Sequence, residues 1–160
     1  MKKKIVSILV VMTYMMVLLV SCTKDDNSSD PNNSTSDQVS TIARSGSWEI
    51  TYFYDSDQEE TGNFSGYSFS FNEDGTIVAV NGNTTVTGVW SITDNSNSSS
   101  DDDGSSSSND NDFNVFFASP ANFEDLSDDW DIISISDTKI ELIDVSGGNG
   151  GTDYLTFMKL

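Results

Sequence analysis

From Trp48 onward the chain is built of short runs in which apolar and polar residues alternate, and this constrains the fold more than any other feature. In the run YSFSF, for example, Tyr67, Phe69 and Phe71 fall on one side and two serines on the other. A period of two residues is typical of half-buried β-strands. The sequence therefore predicts an all-β domain.

The same alternation assigns faces in the neighbouring runs. In WEITYFYD the residues predicted to share one face are Trp48, Ile50, Tyr52 and Tyr54. In TTVTGVWSIT they are Val86, Gly88, Trp90 and Ile92, and the glycine indicates a bulge or a bend at a barrel corner. The large members of the core are expected to be Trp48, Trp90 and Trp130.

Turn residues separate the runs, and most links are short. A hairpin is predicted at 72–75, where Gly75 supplies the positive φ, and another turn at 81–83. SPANFEDL is predicted to be a short helix with Ser119 as N-cap and Pro120 in the first turn. Consecutive antiparallel hairpins are best closed into a barrel, which removes exposed edges. The predicted fold is an eight-stranded antiparallel up-and-down barrel with a short helix.

Residues 94–112 contain no apolar side chain and are predicted to be a disordered acidic insert of Ser, Asp and Asn. Within them Asp101 and Asp103 are the weak calcium candidates, because an Asp-rich run ending in Gly104 matches part of a calcium loop. The bidentate Glu of that loop is missing. No other metal site and no cofactor are predicted.

The formal net charge of −19 repels phosphates and anionic membrane surfaces, so nucleic acid is excluded as a partner. Histidine is absent and Cys22 is the single cysteine, which excludes Ser-His-Asp and Cys-His catalysis and His-based zinc sites. Carboxylate catalysis and oxygen-ligated metals remain possible.

The first 21 residues have the three parts of a secretory signal. Lys2 to Lys4 form a positive start, residues 5–20 are mostly apolar, and Ser21 is small. A membrane-spanning anchor is the alternative, but the apolar part is shorter than the roughly 20 residues that a span needs.

The four residues from Leu19 to Cys22 resemble the lipobox of bacterial lipoproteins. The resemblance implies that the Cys22 thiol receives a diacylglycerol, that the signal is cut before it, and that the new amino terminus is acylated, often with palmitate. Two or more acyl chains hold a protein firmly at a membrane, whereas one chain does not. Cys22 is therefore the expected membrane anchor.

The residues that follow Cys22 indicate where in the cell the protein is located. Lys24-Asp25-Asp26 resembles the export signal of surface-displayed lipoproteins in one large Gram-negative group, which implies the outer membrane and the cell surface. Thr23 stands where the inner-membrane retention rule needs Asp, and the periplasmic face is the alternative. Residues 22–43 are predicted to be the lipidated cysteine and a flexible tether, with Val39, Ile42 and Ala43 forming at most one helical turn.

Residues 44–160 resemble the lipocalin-like domains of small bacterial lipoproteins. The resemblance rests on a Gly-x-Trp opening at Gly46, the hairpin at 72–75, a Gly-x-Trp-Ser-Ile strand at Gly88, the run 135–142 and a closing Leu-Thr-Phe strand. It implies a barrel but little about function, since such barrels serve many roles.

Two kinds of interior are possible for a barrel of this size, because side chains can fill it or leave room for one small ligand. The candidate pocket residues are Phe69, Phe71, Trp90, Phe113 and Phe117, and the alternative is that they are ordinary core. The leading hypothesis is a non-enzymatic, membrane-anchored binding or scaffold module that holds a small apolar ligand or a partner protein outside the cytoplasm.

Two other functions stay open. One is a glycan hydrolase that uses paired carboxylates, for which Glu59-Glu60, Glu124-Asp125 and Asp128-Asp129 are available, although adjacency in sequence does not place a pair across one bond. The other is a calcium-stabilised adhesin that uses the acidic insert.

Overall fold

The computed structural model describes residues 35–94, 111–145 and 151–160. The elements in these ranges are helix α1 (Ser36–Ala43), strands β1 (Ser47–Asp55) and β2 (Gln58–Glu59), a 3₁₀ helix (Thr61–Phe64), strands β3 (Ser68–Phe71), β4 (Thr76–Asn81), β5 (Thr84–Asp94) and β6 (Asn111–Phe116), helix α2 (Ala121–Glu124), and strands β7 (Asp128–Ile135), β8 (Lys139–Val145) and β9 (Thr152–Lys159). The predictions for the signal, Cys22, Lys24 to Asp26, Asp101 and Asp103 concern residues outside these ranges.

The strands form one closed antiparallel barrel. Their order is β2-β1-β3-β4-β5-β6-β7-β8-β9, and β1 also pairs with β9 to close the ring. Strand β2 lies outside the ring and forms a small hairpin with the end of β1. The ring itself therefore has the eight strands and the up-and-down order that the sequence predicts.

A β-bulge in β1 changes which of its side chains face the core. Ile50 lies opposite Phe157, but Tyr52 already lies opposite Thr156, so Thr51 is an extra residue. Because side chains alternate with a period of two, the extra residue reverses the alternation beyond it. Phe53 is fully buried and Tyr52 is 41% exposed, so the prediction that Tyr52 and Tyr54 face inward with Trp48 is wrong.

Most of the remaining predicted faces and turns are confirmed. Phe69, Phe71 and Trp90 are buried, while Val86 and Ile92 are partly buried and pack against the core. Gly75 and Gly82 have positive φ values of 81° and 57°, as the two turns require.

Gly88 serves a purpose different from the predicted bulge. Strands β4 and β5 stay in register through it, and a Cβ at this position would lie 2.4 Å from the carbonyl oxygen of Phe116 and 2.6 Å from Cδ1 of Phe117. The absence of a side chain at Gly88 therefore lets Phe116 and Phe117 approach the backbone of β5, and the Phe117 ring packs over this strand.

The polar insert is shorter than the predicted range of 94–112. Asp94 pairs with Asn111, and Asp112 pairs with Thr93, so both ends of the range belong to strands β5 and β6. Asn111 is only 6% exposed. Polar residues can end a strand when their backbone groups complete the ladder, and composition alone does not reveal this.

Helix α1 belongs to the barrel domain, which therefore begins before the predicted boundary at Arg44. A capping box starts the helix, with Thr35 and Gln38 each accepting a hydrogen bond from the other's backbone N–H. Val39 and Ala43 are buried in the main core, at 1% and 0% exposure. The helix thus covers one end of the barrel, and these residues are not part of a tether.

The link between β6 and β7 covers the opposite end. Helix α2 forms where predicted, but its N-cap is Pro120, with no side-chain hydrogen bond, and not Ser119. Phe123 and Leu126 are fully buried, and the indole of Trp130 donates to the Leu126 carbonyl oxygen over 3.2 Å. No helix within the described residues is long and apolar enough to cross a membrane.

Candidate functional site

The five predicted pocket residues all lie in the barrel core. The Phe71 ring centroid is 5.1 Å from that of Trp90 and 5.3 Å from that of Phe113, and Trp90 and Phe113 are 5.8 Å apart. These three rings contact one another directly. Phe69 and Phe71 both contact Phe157, at 5.6 and 5.5 Å.

Phe117 belongs to a second group of rings at the α2 end. Its centroid lies 5.0 Å from that of Phe123, which in turn is 5.3 Å from Phe64 and 5.2 Å from Tyr67. Phe64 comes from the 3₁₀ helix and Phe123 from α2, so the two long links supply aromatic rings that meet over the barrel mouth. These rings close the end of the barrel opposite α1.

The other end is covered by α1. Val39 and Ala43 pack into the core, and the Trp48 indole donates to the Ala43 carbonyl oxygen over 2.8 Å. The arrangement of the described residues therefore supports the filled-core alternative over the pocket for these five aromatic side chains.

Two adjoining cavities lie outside the core, in a groove between α1 and the β3–β4 hairpin. Their volumes are about 440 and 280 Å³, and both are lined by Arg44, Asn72 and Glu73. Arg44 Nη1 lies 3.8 Å from the Glu73 carboxylate, and Trp90 donates from its indole to the Asn72 carbonyl oxygen over 3.0 Å. Sequence reasoning missed this groove because it depends on where α1 docks.

The carboxylate pairs predicted for hydrolysis lie at different places. Glu59 ends β2, Glu124 ends α2, and Asp128 begins β7. Burial, more than the hydrogen bond with the Asp129 side chain and the charge of Asp144, raises the pKa of Asp128 to about 6. This rise in pKa could not be predicted from the sequence, since it arises from the packing of the β7 start against the barrel end.

Further aspartates gather near Asp128. Asp144 and Asp153 lie directly opposite each other on β8 and β9, and Asp153 accepts a hydrogen bond from the Ser56 N–H over 3.1 Å. Burial and the charges of Asp55, Asp144 and Asp57 raise the pKa of Asp153. Among the described residues no set of three or more acidic side chains has a geometry that would hold a metal ion.

Several large apolar side chains are exposed on the outside of the barrel. They occur on strands β1, β4, β5, β6, β7 and β8 and are Tyr52, Val80, Val89, Phe116, Ile133 and Val145. Val89 and Phe116 are cross-strand partners. The outer surface, unlike the core, therefore offers apolar area to a binding partner.

No protein-family model and no curated protein matches this chain. Among solved structures, the chain is similar to a DUF4847 family protein from Bacteroides vulgatus, with 17% sequence identity and a TM-score of 0.43. That likeness covers 75% of this chain and 96% of the other. The fold assignment rests on the strand pairing described above.

Proposed function

We propose that the protein is a membrane-anchored lipoprotein whose barrel is a non-enzymatic binding module that docks a partner protein on its outer surface, outside the cytoplasm. The observation that carries the proposal is the filling of the barrel. Of its predicted pocket residues, Phe71, Trp90 and Phe113 contact one another, and rings from two links cover the end of the barrel opposite α1.

The anchor part rests on the sequence. A secretory signal followed by a lipobox-like run that ends at Cys22 supports acylation there, and Lys24 to Asp26 support the outer membrane. The residues between Cys22 and Thr35 would then join the anchor to α1. Because α1 is packed into the barrel, any tether ends at Thr35 and not at Arg44.

The docking part rests on where apolar surface is available. A buried aromatic side chain contributes about 1.5–3 kcal/mol to stability, so moving several of them to admit a ligand would cost much of the stability of a small domain. The exposed Phe116 and its neighbours need no such rearrangement. Docking on the outside is therefore less costly than opening the interior.

The anchor is tested by growing cells with an alkyne analogue of palmitate. Wild-type protein should take up the label and sediment with membranes, and Cys22→Ser should do neither. Label that persists in Cys22→Ser would show that the acylation site is elsewhere.

The mode of binding is tested by native mass spectrometry of the protein extracted from membranes in mild detergent. The expected mass is that of the chain from Cys22 with its acyl groups and no further small molecule. A stoichiometric apolar molecule that stays bound when the detergent is removed would overturn docking on the outer surface and support a pocket.

A further inference from the structure

The groove between α1 and the β3–β4 hairpin brings side chains of three kinds together. Asp37 and Arg44 come from α1 and its end, Asn72 and Glu73 from the hairpin, and Trp90 from β5. We call it the Arg44 groove. The larger of its two cavities has a volume of about 440 Å³, within the range of about 300–1,000 Å³ that is usual for small-molecule sites.

The guanidinium group of Arg44 is held in place by one of its inner atoms. Its Nε donates a hydrogen bond to the Ser40 carbonyl oxygen over 3.1 Å, at the end of α1. Its Nη1 lies 3.8 Å from the Glu73 carboxylate, which is too far for a hydrogen bond. Within the described part of the chain, the outer N–H groups of Arg44 are therefore available to a ligand in the groove.

The carboxylate of Glu73 is equally accessible. The side chain is 92% exposed, and its contact with Arg44 is an ion pair at the surface. Such pairs contribute little to the stability of a protein, because solvent screens them and ordering two long side chains costs entropy. A ligand can therefore rearrange this pair without destabilising the fold.

The charges in the groove disfavour a charged ligand. An anion drawn to Arg44 would lie beside Glu73 and near Asp37, on a chain whose formal net charge is −19. A cation drawn to Glu73 would lie beside the Arg44 guanidinium instead. A neutral ligand avoids both kinds of repulsion.

The spacing of the two groups suits a hydroxyl. Arg44 can only donate hydrogen bonds and the Glu73 carboxylate can only accept them, whereas a hydroxyl does both. A hydroxyl oxygen about 2.8 Å from both Nη1 and the carboxylate oxygen bridges their gap of 3.8 Å. One ligand hydroxyl can therefore accept from Arg44 and donate to Glu73.

The rest of the groove provides further polar groups and an apolar surface. Asn72 uses its side-chain N–H₂ on the Thr76 hydroxyl over 2.9 Å, which leaves its amide oxygen as an acceptor for a second hydroxyl. Trp90 and Ile92 line the bottom, and Ile92 is only partly buried. A sugar ring matches this arrangement, because its hydroxyls lie around the edge and its faces carry C–H groups.

We propose that the Arg44 groove is a binding site for a neutral sugar, with one hydroxyl held between Arg44 and Glu73. Sugar binding here goes beyond the proposed function and does not depend on the docking of a partner protein. Few hydrogen bonds in an open groove give weak binding, with a Kd of about 1 mM. The sugar therefore dissociates during extraction and is not expected in the mass spectrum of the extracted protein.

The indole N–H of Trp90 reports on the groove, because it donates to the Asn72 carbonyl oxygen over 3.0 Å. Lipoprotein with ¹⁵N-labelled tryptophan, in a detergent without a sugar headgroup, is titrated with glucose, galactose and mannose up to about 20 mM. At least one sugar should shift the Trp90 indole signal saturably. The Trp130 signal should not move, since its N–H donates to Leu126 at the other end of the barrel.

The variants Trp90→Phe and Trp130→Phe assign the two signals. If none of the three sugars shifts the Trp90 signal saturably, or if the Trp130 signal moves equally, the proposal is overturned.

Glu73→Gln tests the bridging hydroxyl. The variant loses the charged acceptor without shortening this exposed side chain, and the Kd of the sugar should rise about fivefold. The matched control is Glu124→Gln, which removes the same charge from an exposed residue of α2 and should change the Kd less than twofold. Thermal melts and circular dichroism establish that both variants are folded, and equal Kd values for the two variants would contradict the site.

Charged analogues test the requirement for a neutral ligand. The uronic acid and the amino sugar that correspond to the sugar that binds should each bind several-fold more weakly than it does. Equal or tighter binding of the uronic acid, lost in Arg44→Gln, would overturn the proposal in favour of an anion site. Equal or tighter binding of the amino sugar would overturn it in favour of a cation site.

Discussion

The indole Nε1 of Trp48 donates a hydrogen bond to the carbonyl oxygen of Ala43 over 2.8 Å, and both residues are fully buried. This bond joins the last residue of α1 to the second residue of β1. It satisfies a carbonyl at the helix end that has no partner within the helix. The helix and the barrel therefore form one packed unit.

A chain that begins at Arg44 should consequently be less stable than one that begins at Thr35. Removing α1 exposes apolar core, leaves the Trp48 indole without its acceptor and should cost about 3 kcal/mol. Urea unfolding of both chains measures the difference. Trp48→Phe in the longer chain is the control and should cost about 1–3 kcal/mol, while equal midpoints for the two chains would contradict the role of α1.

Phe123→Ala should destabilise the barrel by about 3–5 kcal/mol, because the residue is fully buried and leaves a cavity among four aromatic rings. The cavity should also admit the neutral dye N-phenyl-1-naphthylamine, whose fluorescence would rise in this variant only. Phe116→Ala is the matched control, since Phe116 is 56% exposed, and should change stability by less than about 0.5 kcal/mol. Strong dye binding to the wild-type barrel would show that the interior is already open.

Gly88→Ala should lower the free energy of unfolding by about 1–3 kcal/mol through overpacking. The new methyl group would lie within 3 Å of both the Phe116 carbonyl and the Phe117 ring. Gly62→Ala provides the comparison, because nothing lies within 4 Å of a Cβ there. If guanidinium unfolding gives the same midpoint for both variants, the close approach at Gly88 is not a constraint.

Asp128→Asn should flatten the dependence of stability on pH. The folded state raises the pKa of Asp128 to about 6, above its usual value of about 4, mainly because burial disfavours the charged form. Its protonated form therefore stabilises the fold below about pH 4, and that contribution is lost as pH rises through 6. The charges of Asp129 and Asp144 act in the same direction, while the hydrogen bond that the Asp129 N–H donates to Asp128 opposes the rise in pKa.

The comparison is made by urea unfolding from pH 4 to pH 7. Between pH 4 and pH 7 the free energy of unfolding should change by different amounts in the two proteins. Solvent screening of this partly exposed carboxyl keeps that difference below about 1 kcal/mol. The other shifted carboxyls are present in both proteins and cancel in the comparison. Identical slopes would place the titration elsewhere.

The strand pattern predicted most of the barrel, because faces such as that of Phe69 and Phe71 follow from alternation alone. It failed at Tyr52, since a bulge depends on the pairing of β1 with β9, which the sequence of β1 does not record. It also underestimated α1, a helix that is stabilised by the burial of Val39 and Ala43 and by its capping box more than by its own propensity.

The candidate sites were harder to predict for a physical reason. Aromatic residues on an inward face look the same whether their rings meet or surround a ligand, so the contact between Phe71 and Trp90 could not be inferred.

The extra residue at Thr51 also affects how this chain should be aligned with its evolutionary relatives. Insertions and deletions are ordinarily confined to loops. A relative with a regular first strand would need a one-residue gap inside that strand to match both Trp48 and Phe53 with core positions. An alignment without that gap would match core residues of the relative with exposed residues such as Tyr52. A sequence profile built from it would then score true homologues too low.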